Sequence, residues 1–165
     1  MAELFESTII KLKKEFGITT REQLAEIGDK KKQLYIGIPK ETYLQERRIP
    51  LTPNAVRTLT ILGHRIAIEM GAGEASSFTN EEYLEAGAEV VYSRKEVYQA
   101  EMILKSTPPN NEDIESMNLH QVIFSPLLMT SMTADQLKHM AEKRICAFAF
   151  EYIKDENHTF PFIRS

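Results

Sequence analysis

From Leu34 onward, short apolar runs alternate with amphipathic segments. Runs at 34–38, 65–69, 89–92, 102–105, 121–125 and 145–150 are of strand length. Between them, apolar residues recur at helical spacing over 54–62, 80–86, 94–100, 112–117 and 134–143. The punctuation agrees with this reading. Pro53 and Asn54 stand where a helix opens, and Gly63 and Gly87 where helices close. Thr133-Ala134-Asp135-Gln136 has the form of a capping box. The runs Ile36-Gly37-Ile38 and Cys146-Ala147-Phe148-Ala149-Phe150 are apolar on both faces, as strands of a parallel sheet covered on both sides must be. The predicted class is therefore α/β: a Rossmann-like or flavodoxin-like, mostly parallel sheet of at least five strands with helices on both faces.

The first thirty residues follow another pattern. Leu4, Phe5, Ile9, Leu12 and Phe16 recur at helical spacing among lysines and glutamates, and Gly17 ends that segment. Thr20-Arg21-Glu22-Gln23 opens a second short helix, and Asp29-Lys30-Lys31-Lys32 is a solvated link. This predicts a helical extension at 1–32, packed on the domain or on a neighbouring subunit, followed by a single domain at 33–165. The apolar close Phe160-Pro161-Phe162-Ile163, with no further element after it, predicts that the native protein is longer.

Composition narrows the function. A net charge of −4 and a pI near 5.6 argue against nucleic acid as the main partner, since phosphate binding needs a basic surface. No apolar stretch has the length of a membrane span, and the start lacks the form of a signal peptide. The single cysteine, Cys146, excludes an internal disulfide and fits a reducing cytoplasm; its apolar neighbours predict a buried structural thiol.

Candidate chemistry is sparse. Gly71-Ala72-Gly73 follows a strand, but a dinucleotide cradle requires the glycine turn itself to open the helix. Here the helix start falls later, at Thr79-Asn80-Glu81-Glu82, so the stretch reads as a tight loop and no cofactor-binding residue is assigned. His64, His120, His139 and His158 have no ligand spacing, which argues against a metal. Glu81-Glu82 and Glu112-Asp113 sit where helices begin and suit the helix dipole. Arg48, in Arg47-Arg48-Ile49-Pro50-Leu51-Thr52-Pro53, falls between the first strand and first helix, where open α/β sheets gather ligands. On the residues alone it is either a solvated loop charge or a planar fork for a carboxylate.

A family resemblance bears on that choice. Ile36-Gly37-Ile38-Pro39-Lys40-Glu41, Glu46-Arg47-Arg48-Ile49-Pro50-Leu51-Thr52-Pro53, Gly63-His64, Glu69-Met70-Gly71-Ala72-Gly73 and Tyr83-Leu84-Glu85-Ala86-Gly87-Ala88-Glu89 resemble, in order and spacing, the N-terminal domain of alanine dehydrogenases and of the transhydrogenase alpha subunit. Ala149-Phe150-Glu151-Tyr152 resembles the passage toward that family's cofactor domain. The resemblance implies an NAD-dependent oxidoreductase (NADP not excluded) whose second domain carries the nucleotide, cytoplasmic and homo-oligomeric, acting on a small carboxylate or amino-acid substrate. It implies that Arg48 holds the substrate carboxylate. Where the family has a substrate-contacting lysine this chain has Thr107, and where it has a catalytic histidine this chain has Leu128. Lys105, two residues before Thr107, is the remaining candidate substrate ligand, expected on one cleft wall with Arg48. No catalytic base is assigned. Transhydrogenase-like sequences lack the same lysine and histidine. This leaves an alanine dehydrogenase-type enzyme, a transhydrogenase- or saccharopine dehydrogenase-like one, and a catalytically inactive sensor or assembly protein as the readings.

Overall fold

The computed structural model describes residues 33–160 apart from Leu44, Ser131 and Asn157. The helices expected within 1–30, and the closing segment 161–165, lie outside the described residues. Six strands form one sheet: β1 Tyr35–Ile38, β2 Arg65–Glu69, β3 Glu89–Val91, β4 Met102–Leu104, β5 Val122–Ser125 and β6 Cys146–Ala149. Every neighbouring pair is parallel, in the order β3-β2-β1-β4-β5-β6. Five helices connect them: α1 Pro53–Ile61, α2 Asn80–Glu85, α3 Arg94–Val97, α4 Asn111–Ser116 and α5 Ala134–Glu142. This is the doubly wound arrangement the alternation of runs predicts, and each expected strand is found within a residue or two of its place.

The two faces follow from side-chain alternation along the strands. Ile36 and Ile38 of β1 pack with Ile66 and Ile68 of β2, Val56 of α1 and Tyr83 of α2. On the opposite face Ile103 of β4 and Ile123 of β5 pack with Tyr98, Ile114 of α4 and Met140 of α5. Gly37 belongs to this second face, in register with Ile103. A Cβ there would meet the Val97 carbonyl oxygen at 2.5 Å, so glycine is what lets α3 lie directly on the sheet.

The helix ends are as the sequence signals. Pro53 is the first residue of α1 and the Thr52 side chain accepts from Ala55 N–H. The Thr133 box closes in both directions with Gln136, and a further box, Asn110 with Asp113, opens α4. Gly63 and Gly87 follow α1 and α2 with φ of 92° each, the left-handed conformation that ends a helix most readily at glycine.

One expectation is corrected. Cys146 is exposed, and Phe148 is half-exposed, because β6 is an edge strand of the sheet rather than a covered interior one. The apolar run is a true strand, but burial of both its faces does not follow from that.

Candidate active site at the carboxyl ends of the strands

The strand order reverses direction between β1 and β4, so the loops leaving their carboxyl ends diverge and open a crevice between them. A cavity of about 580 Å³ lies there. Tyr43, Glu46 and Arg48 contribute from the loop after β1, Ser106 to Asn110 from the loop after β4, Pro126 and Leu128 from that after β5, and Phe150 and Glu151 from that after β6. The site is thus made of residues far apart in sequence and brought together by the switch in strand order.

Arg48 stands on the wall of this cavity with its side chain 77% exposed. Its guanidinium is already engaged by Glu46. Nε donates to Glu46 Oε1 at 2.9 Å and Nη2 to Oε2 at 2.7 Å, and the Arg48 backbone N–H donates to Oε1 at 2.8 Å. These bonds hold the Glu46 carboxyl down to about 2. Glu46 spans the Nε/Nη2 edge of the planar fork, which leaves the Nη1/Nη2 edge geometrically suited to a second carboxylate.

Lys105 is not on the cleft wall. It immediately follows β4 with a side chain 1% exposed, and its Nζ lies 2.8 Å from Glu41 Oε2 and 3.3 Å from Asp113 Oδ2. The expected pair of cations on one wall is therefore not formed, because burial forces Lys105 to find carboxylates inside the protein. Thr107 does line the cavity, yet its hydroxyl donates to the same Glu41 Oε2 at 2.5 Å. Glu41 Oε1 also accepts the N–H groups of Ser106 (2.6 Å) and Thr107 (3.2 Å). One carboxylate thus ties the loop after β1 to the loop after β4 across the mouth of the crevice.

Asp113 anchors the other end of this network. Its side chain is fully buried, accepts the Tyr98 hydroxyl at 2.7 Å, caps Asn110 N–H and lies 3.4 Å from Arg94 Nη1. Burial and the adjacent carboxylate push the Tyr98 hydroxyl far above its usual range, so it remains a donor. A place in the first turn of α4 accounts for only part of what Asp113 does. Sequence reading assigned no role to Glu41, Tyr98 or Glu151, since the partners of each are 15 to 66 residues away.

Leu128 also lines the cavity, 48% exposed and with φ of 42°. The backbone N–H groups of Leu127 and Leu128 donate to Glu151 Oε1 at 2.8 and 2.9 Å, which fastens that left-handed backbone in place. Glu151 itself is 8% exposed, and its Oε2 and Ser125 Oγ are buried polar atoms without a hydrogen-bond partner.

Among the described residues, the Gly71–Gly73 loop does not have the form of a dinucleotide cradle. After Gly71 and Gly73 comes a 3-10 turn, Glu74–Ser76, and α2 begins only at Asn80. A Cβ on Gly73 would meet the Tyr83 ring at 2.6 Å and the Phe78 carbonyl at 2.8 Å, so the glycine is filled by the protein's own packing. Among the described residues no cluster of His, Cys, Asp or Glu has the form of a metal site, and no helix is long and apolar enough to cross a membrane.

Comparison with known proteins agrees with this fold. The chain is 34% identical to the alanine dehydrogenase of Methanococcus maripaludis over 131 residues, and 35% identical to that of Bacillus subtilis over 130 residues. Each alignment covers 79% of this chain but only 35% and 34% of the relative, so the chain spans about a third of their length. A solved L-alanine dehydrogenase superposes with a TM-score of 0.72 at 33% identity, over 76% of this chain and 35% of that one. The transhydrogenase from Sinorhizobium meliloti superposes with a TM-score of 0.64 at 27% identity, over 72% and 35%. The family model described as "Alanine dehydrogenase/PNT, N-terminal domain" matches residues 37–165, and with the fold in agreement the chain belongs to that family.

Proposed function

We propose that this cavity is the substrate side of an NAD(P)-dependent active site of alanine dehydrogenase type, acting on a 2-amino or 2-oxo acid. The observation that carries this reading is Arg48 on the wall of the crevice at the strand switch point, with one edge of its fork turned to Glu46 and the other suited to a substrate carboxylate. Glu41 keeps the loops on either side at a fixed spacing, and the apolar residues beyond them exclude water from the bound acid. The nucleotide is proposed to bind a following domain, whose hydride chemistry this domain serves by orienting the substrate carbon. The whole protein is proposed to be a cytoplasmic homo-oligomer, which sedimentation of the full-length protein tests. In that protein, Arg48→Ala is expected to raise KM for the acid at least tenfold, since a charge-assisted bond of about 1.5–3 kcal/mol is lost. An unchanged kcat/KM would overturn the role of Arg48.

Thr107 and Leu128 favour a second reading, transhydrogenase-like chemistry, because neither offers the lysine or histidine of an alanine dehydrogenase. Hydride exchange between NADH and an NADP analogue in the absence of any amino acid would decide for it.

A further inference from the structure

Part of the cavity lining is apolar and preformed. Pro108, Pro109, Pro126, Leu128, Met132 and Phe150 line the cavity together. Three of these are prolines with fixed φ. Phe150 is held by the Phe124 ring, with centroids 5.6 Å apart. Leu128 keeps a left-handed backbone through the two N–H bonds that Glu151 accepts, and still leaves nearly half of its surface open. A leucine held this firmly and left this exposed, on the wall of a crevice that Arg48 also lines, is an apolar surface that a ligand would cover. The methyl group of alanine would cover little of it.

We propose that the cleft selects a 2-amino (or 2-oxo) acid with a bulky apolar side chain, aliphatic or aromatic, seated against Leu128, Met132 and Phe150 while its carboxylate meets Arg48. This deepens the reading above and rests on it.

The test uses the full-length protein with NAD+ or NADP+ and compares L-alanine, L-leucine and L-phenylalanine. The expected result is a kcat/KM for L-leucine or L-phenylalanine at least about tenfold above that for L-alanine, since each extra buried methylene contributes several-fold. Leu128→Ala keeps the Cβ and the backbone bonds to Glu151, and is expected to lower that preference at least about tenfold, whereas Leu128→Met keeps it. The preference is a ratio within one preparation, so partial loss of folded protein leaves it unchanged. A wild-type preference for L-alanine, or the same preference in Leu128→Ala, overturns the proposal while leaving the functional reading in place. Turnover of no 2-amino acid with either nucleotide overturns the functional reading and the proposal with it.

Discussion

Replacing Lys105 by methionine separates a buried ion network from an exposed ion pair in the same crevice. Methionine keeps most of the side-chain volume and removes the charge, leaving Glu41 and Asp113 enclosed with less to balance them. Breaking a buried pair from one side costs about 3–5 kcal/mol. Here the lower end applies, because each carboxylate keeps other donors. Glu41 retains Ser106 N–H, Thr107 N–H and the Thr107 hydroxyl, and Asp113 retains the Tyr98 hydroxyl, Asn110 N–H and Arg94. The expected loss is about 3 kcal/mol, or roughly 10 °C in Tm for a domain of this size. Arg48→Met is the internal comparison: its partner pair is exposed on the arginine side and is worth at most about 1 kcal/mol. Both are read by urea unfolding of the 165-residue chain at pH 7. The double variant Lys105→Met with Glu41→Gln is expected to lose less than the sum of its single changes, since one of the two carboxylates that Lys105 balances is gone. A Lys105→Met loss below about 1 kcal/mol, or no greater than that of Arg48→Met, would refute the argument that Lys105 is a structural rather than a cleft-facing cation.

Two further outcomes are expected. Lys143 Nζ donates to the carbonyls of Ile114, Glu115 and Met117 at 2.8, 2.6 and 2.8 Å, closing the end of α4, so Lys143→Met should cost about 1–2 kcal/mol in the same unfolding assay; a neutral change would show that water replaces it fully. The Glu46 carboxyl, lowered to about 2, should titrate by carbon NMR well below the ordinary 4.5, and the stability it shares with Arg48 should be intact above 4.5 and lost as pH falls toward 2. A midpoint near 4.5 would mean that the pair does not persist in solution.

The alternation of apolar runs with amphipathic segments was sufficient for the fold, because each element carries its own local signals. Gly63 and Gly87 end helices wherever the helices sit, and the Thr133 box closes on a residue three positions away. The family was legible for a related reason: it is carried by strings of adjacent residues. What only the tertiary structure decided are the relations between strings. That Lys105 turns inward to Glu41 depends on a loop 64 residues earlier returning beside β4. That Arg48 and Leu128 line one crevice depends on the strand order, which places β1 next to β4 and β4 next to β5. Cys146 illustrates the same point from the other direction: an apolar run signals a strand, but which strand stands at the edge, and so which side chains meet solvent, is set by the whole sheet. Local sequence acts through bonds three or four residues long, whereas burial and charge pairing are properties of the packed assembly.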